Sequence, residues 1–401
     1  MKPAPSIIGF TTLSGLGYGM LFVLALGGIT GLIPAERWFG VAGFVAALGT
    51  VTAGLLASTL HLGHPERAWR AISQWRSSWL SREGLTAIAT YVPACILAAG
   101  WMISGSASGF FLGLMAILAA IGAVATVFCT GMIYASLLPI SAWHQPLTVP
   151  VYLALALMTG LLAVQALLAL FGISPGILAF LALVVIVATA ALKLVYWQMV
   201  SRSRSSAPSM ESATGLGSLG LVRMLDPPHT QTNYLLDEMG FQVGRKHART
   251  LRWLCGFFGL AVPLASTLLA LFIDHWSATI FTLVAFVAGM VGVLIERWLF
   301  FAEAEHTVTL YYGGTGAGAQ FTSPQQKTTT SQTKPEATKG ATAESRRRRT
   351  PPARRRTTAK AGGIDGATHQ LPDVEDLGEQ PSAGQGQEPV SGAKARRRAR
   401  S

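Results

Sequence analysis

Through the first three quarters of the chain, long runs of apolar positions nearly free of charge alternate with short polar breaks. A bilayer core about 30 Å thick takes about 20 such residues at 1.5 Å each, so runs of that length predict membrane-crossing helices. Eight runs meet the length, at approximately 7–32, 38–61, 83–105, 109–137, 149–172, 176–200, 251–273 and 276–304. The first is too long for the apolar core of a signal peptide and leads directly into a second span, so it reads as a retained helix. The predicted fold is an all-α integral membrane protein of eight transmembrane helices.

Eight crossings place both ends of the bundle on one side. The breaks at 62–82, 138–148 and 201–250 then share that side with the C-terminal tail, and only the short turns 33–37, 106–108, 173–175 and 274–275 face the other. The far turns carry Glu36, Arg37 and Asp274, whereas the 62–82 break alone carries Arg67, Arg70, Arg76 and Arg82. Short loops rich in Arg stay on the cytoplasmic side, which predicts cytoplasmic termini and a partner surface built from the three long breaks.

Composition agrees with a lipid solvent. Of the 401 residues 51% are hydrophobic and 12% charged, against roughly a quarter charged in soluble domains, which excludes an ordinary soluble enzyme. The net charge of +12 is uneven, because residues 313–401 hold 16 basic and 8 acidic residues. That segment is rich in Gly, Thr, Pro, Lys and Arg and cannot bury enough apolar area to offset chain entropy. The expected organisation is therefore a membrane domain over 1–312 and a disordered basic tail over 313–401. The tail's charges are not interleaved with aromatics for base stacking, so no specific nucleic acid is expected.

Cys95, Cys129 and Cys255 each sit in an apolar stretch and form no C-x-x-C pair, which leaves cysteine-ligated clusters without ligands. The histidines fall in loops, in the tail or at span ends, so no pair is expected to clamp a haem at membrane depth. The run Gly215-Leu216-Gly217-Ser218-Leu219-Gly220 satisfies G-x-G-x-x-G but lies between two spans rather than between a strand and a helix, and reads as a turn-forming cluster.

The polar residues inside or at the edge of spans hold the candidate chemistry, because ionisable groups there pair, line a hydrated cavity or function. His61 ends the second span and Glu83 opens the third; Lys193 lies in the sixth, and Glu296 with Arg297 in the eighth. Lys193 and Arg297 are open to a simpler reading, in which they snorkel to the interface while Glu296 pairs with one of them. An imidazole or carboxylate at the membrane edge can exchange the protons that accompany two-electron quinol chemistry, and this favours His61 and Glu83.

The segment His61-Leu-Gly63-His64-Pro65-Glu66-Arg67-Ala68-Trp69-Arg70-Ala71, followed by Ser77-Ser-Trp79-Leu-Ser81-Arg82-Glu83, resembles the signature of the dimethyl sulfoxide reductase membrane-anchor family. The similarity runs over residues 5–312. Its later part, from Asp226-Pro227-Pro228-His229 to Gly240 and from Glu296 to Glu303, is similar to anchors of sulfite-oxidising molybdoenzymes. The resemblance implies a multi-pass protein of the bacterial inner (cytoplasmic) membrane that is not itself catalytic for the soluble substrate. It implies an anchor that holds no haem or iron–sulfur cluster and binds quinone or menaquinone as an exchangeable substrate. An iron–sulfur electron-transfer subunit and a catalytic subunit with a molybdenum bis-pterin would be its partners. By matched motif positions His61, Gly63 and Glu83 belong to the quinol site, while Arg67, Arg70 and Arg82 orient quinone oxygens, meet the partner or simply obey the charge rule. A secondary transporter and a purely structural tether are the alternatives; the first would call for internal repeats and helices broken at the midplane.

Overall fold

The computed structural model describes residues 2–60, 64–205, 209–222, 243–273 and 276–312. His61, Gly63, the stretch 226–240 and the tail from 313 lie outside the described residues. Among those described there is no strand, and eight helices are long and apolar enough to cross a membrane. They are α1 (Pro5–Thr30), α2 (Arg37–Thr59), α3 (Trp79–Ser104), α4 (Phe110–Ala135), α5 (Thr148–Leu170), α6 (Gly176–Ser205), α7 (Ala248–Ala270) and α8 (Trp276–Ala302). The hydropathy boundaries hold to within about five residues, because charge and turn chemistry stop each helix. Pro5 opens α1 where its missing N–H costs nothing, and Gly31 closes it at φ 72°, a left-handed value that glycine adopts without strain.

The helices are not equivalent. In its most apolar stretch α1 is 67% buried by protein and α5 72%, whereas the other six are 28–39% buried, so α1 and α5 form the axis. α2, α3 and α4 gather on one flank of this axis, and α6, α7 and α8 on the other. The outer helices turn Val45, Leu56, Ile88, Val92, Ile121, Val187 and Val287 outward, where lipid tails are as favourable as a protein core.

With no hydrophobic force to press helices together in lipid, close backbone approach has to supply the attraction, and small residues permit it. A Cβ on Gly19 of α1 would sit 1.9 Å from the Ala156 carbonyl oxygen of α5, and one on Gly160 would sit 2.2 Å from the Gly19 carbonyl carbon. The two axial helices therefore touch backbone to backbone.

One span is irregular. Within α7 the segment Phe257–Ala261 is a π-turn, in which the Val262 N–H reaches back five residues to the Phe257 carbonyl, and Pro263 follows at once. Proline brings no N–H to the ladder, so widening by one residue accommodates it. The loops also hold structure that hydropathy does not show. Pro65–Gln74 winds as a 3₁₀ helix, while Gly215 caps a one-turn helix and Gly220 adopts φ 138°, which bears out the reading of that glycine cluster as turns.

Replacing Gly19 by Leu should cost more than the ~1–3 kcal/mol of ordinary overpacking, because the obstacle is backbone. Loss of the thermal transition of purified protein in lipid nanodiscs is expected. Gly49→Leu, where a Cβ meets nothing within 4 Å, should leave that transition in place.

Candidate functional site

Glu83 enters the bundle one turn into α3. Ser78 caps that helix, accepting from the Ser81 N–H at 3.4 Å. Arg82 is folded back, donating to the carbonyls of Trp75 at 2.9 Å and Arg76 at 2.7 Å, with its guanidinium 4.2 Å from the centre of the Trp79 ring. Arg82 thus ties the 65–76 loop to α3 and spends its donors on backbone. The next residue, Glu83, points the other way: it is 4% exposed and its Oε1 accepts from the Thr130 hydroxyl of α4. Arg67 stays exposed, 3.7 Å from exposed Glu66, beside exposed Trp69 and Trp75. The structure therefore separates the loop arginines from the carboxyl that the sequence grouped with them.

Lys193, Glu296 and Arg297 come together. Glu296 Oε1 takes the Lys193 ammonium, and its Oε2 lies 2.9 Å from Arg297 Nε, all three groups being buried. Snorkelling is thereby corrected: the two cations turn inward because a carboxylate and aromatic faces receive them. Arg297 stands 3.7 Å from the centre of the Tyr152 ring, and Lys193 stands 4.3 Å from that of Tyr196. Unpaired, each buried ion would cost several kcal/mol, and the shared carboxylate with the negative ring faces offsets this. A second pair, Arg252 with Glu303 at 2.8 Å, joins α7 to the end of α8.

An aromatic box closes over this group. Tyr134, Trp143, Tyr152, Phe300 and Phe301 stack or meet edge-on at 5.2–5.8 Å, and Trp143 Nε1 donates to the Phe300 carbonyl at 2.9 Å. Ile140, Ala142 and Trp143 are buried while Leu138, Pro139, His144 and Pro146 are exposed, so the middle of the 138–148 break turns into the bundle and its outer residues stay at the surface. Counted along their helices, Glu83, Thr130, Tyr152, Arg297 and Thr12 lie about 6–10 Å from the same end of the bundle.

Residues 1–313 match the family model of the DMSO reductase anchor subunit (DmsC). The chain belongs to this family. It is also similar to a sulfite dehydrogenase subunit of Allochromatium vinosum, with 31% identity over 329 residues, covering 78% of this chain and 99% of that protein.

The anchor's polar layer contains groups that charge alone does not flag. Thr130 and Tyr152 are uncharged and pass as span residues, yet one holds Glu83 and the other carries Arg297. A signal existed in the threonine spacing, since Thr86 and Thr90 on α3, and Thr126 and Thr130 on α4, each fall four apart on one helix face. Thr90 and Thr126 meet at 3.5 Å across the α3–α4 seam.

Glu296→Gln should destabilise the anchor by about 3–5 kcal/mol, because two buried cations lose their common partner. Adding Lys193→Met should restore part of that loss in thermal unfolding of the protein in nanodiscs. A double variant no more stable than Glu296→Gln would show that Lys193 and Glu296 are not energetically coupled.

Proposed function

We propose that this anchor is the quinone-reactive subunit of a membrane-bound molybdenum oxidoreductase, exchanging electrons between the quinone pool and an iron–sulfur partner subunit that serves a molybdopterin catalytic subunit. The observation that carries the reading is Glu83, a buried carboxyl held by Thr130 at the end of the bundle where the 65–76 loop folds over. A two-electron reduction of quinone consumes two protons at the ring oxygens, and the reverse reaction releases them. A carboxyl shielded from water is suited to give or take one of these, and the sequence motif assigns His61 and Gly63 to the same expected site.

Similarity to a protein named as part of a sulfite dehydrogenase favours the oxidising direction, in which the soluble partners withdraw two electrons from sulfite and quinone becomes quinol here. The same groups serve a reductase with the proton steps reversed. Exposed Arg67, Trp69 and Trp75 offer the partner a surface that combines charge with aromatic anchors. The arginine-rich loop favours the cytoplasmic side of the inner membrane for this end, and protons taken up or released there would not cross the bilayer. Membership of an anchor family favours this reading over a transporter or a bare tether.

Glu83→Gln, assayed in the complete complex, should leave membrane assembly intact and lower quinone-dependent turnover on the order of 100-fold or more, the usual weight of a positioned proton-transfer group. Turnover with a soluble redox dye that bypasses quinone should be unchanged. Full quinone-dependent activity in this variant would remove Glu83 from the site.

A further inference from the structure

A small cavity lies at the same level as Glu83, with Thr130 on one wall and Arg297 on another; Thr11, Thr12, Ser14, Tyr152 and Thr159 complete its polar lining. It has room for about one water molecule. Thr12 Oγ1 is buried with no hydrogen-bond partner among the described residues, while the Tyr152 hydroxyl and Arg297 Nη1 make no well-aligned hydrogen bond and interact with each other. Thr11, Ser14 and Thr159, by contrast, donate to their own helices at 2.9, 2.6 and 2.9 Å. A buried polar group left without a partner costs about 1–3 kcal/mol, so these three on the lining of one void favour a small polar occupant. The occupant has to accept from the guanidinium, exchange hydrogen bonds with two hydroxyls and be small. Water meets all three conditions and a quinone ring exceeds the space.

We propose that this cavity is a bound-water site that sets the protonation of Glu83 through the Thr130 hydroxyl, with Thr12, Tyr152 and Arg297 as its positioning residues. The inference rests on the quinone reading of Glu83. Thr130 has one proton to give. In the structure it is within reach of the Glu83 carboxylate and of the Thr126 carbonyl at 3.0 Å. When Glu83 carries a proton, the carboxyl becomes the donor and the Thr130 proton turns away from it; a water on the far side of that hydroxyl can accept it. When Glu83 gives its proton to quinone, the hydroxyl swings back and the water donates to the oxygen lone pair thus freed. No covalent bond is made or broken by these rotations. The other titratable and charged groups around Glu83 are Arg82 on its own helix, Tyr18 on α1, Cys129 and Tyr134 on α4, Tyr152 on α5 and, across the cavity, Arg297 with Glu296 on α8.

Thr12→Val and Tyr152→Phe each delete one hydroxyl at nearly constant volume. In the assembled complex both should displace the midpoint of the pH profile of quinone-dependent turnover by about one unit, the scale on which a hydrogen-bonded neighbour acts, with KM for a soluble quinone analogue unchanged. Thr12→Ser should restore the wild-type profile. In infrared difference spectra of quinone reduction, the carboxyl band that Glu83→Gln removes should move in both hydroxyl variants. Wild-type profiles and an unmoved band in both, alongside an inactive Glu83→Gln, would overturn the water site and leave the quinone reading standing. An active Glu83→Gln would instead overturn the quinone reading itself.

Discussion

Burying a carboxylate between a lysine and an arginine in a protein solvated by lipid constrains the packing of the whole α5–α6–α8 flank. None of the three ions can be left alone, and all three are buried away from bulk solvent, so Lys193 of α6 and Arg297 of α8 have to meet Glu296 in one register. The cations also need aromatic faces, which fixes Tyr196 beside Lys193 and draws Tyr152 of α5 under Arg297. Through Tyr152 the charge cluster reaches the axis of the bundle. Through the stacked box of Tyr134, Trp143 and Phe300 it also anchors the 138–147 segment, whose tryptophan nitrogen spends its proton on the α8 backbone.

The axis rests on a different physics. α1 and α5 meet at Gly19 and Gly160, where only hydrogen atoms separate the backbones, and this closeness leaves no freedom to slide. α1 and α5 can therefore act as a rigid spine on which two polar clusters are held at one depth. Glu83 and Thr130 belong to α3 and α4 on one side; Glu296 and its cations belong to α6 and α8 on the other. Thr12 and Tyr152 of the spine lie between.

Much of this architecture was legible in the sequence because the bilayer imposes a length on each helix that hydropathy reads directly. Eight spans, their order and the short turns between them follow from that one constraint. What was not legible depends on contacts between distant positions. Lys193 and Glu296 are 103 residues apart, so their pairing is invisible to any local pattern, and snorkelling was an equally natural fate for Lys193 and Arg297. Thr130 and Tyr152 escaped attention for the opposite reason, being uncharged residues in apolar helices whose importance comes only from what they touch. The 138–148 break read as an open loop because it is short and carries Ser141, His144, Gln145 and two prolines, yet Trp143 and Ile140 were the sign that part of it would turn inward. Arg82 was grouped with Glu83 through the family motif, but adjacent residues on a helix diverge by about 100°, and one went to the loop while the other went to the core.

That divergence has a functional logic. Were Arg82 beside the Glu83 carboxyl, a fixed cation would hold the group ionised and suit it poorly to passing a proton in both directions. With Arg82 engaged on the carbonyls of Trp75 and Arg76, the partner of Glu83 is a hydroxyl, which donates to a carboxylate and accepts from a carboxylic acid with similar ease. The permanent charges are kept instead in the Lys193, Glu296 and Arg297 cluster, where they pair with one another and organise the helices. The anchor thus divides its ionisable residues into a locked set that builds the scaffold and a switchable carboxyl at the membrane edge. Under the proposed quinone chemistry, that division would let one site serve either direction of electron flow, because the direction would then be set by the potentials of the partners and the quinone pool rather than by the protein groups around the ring.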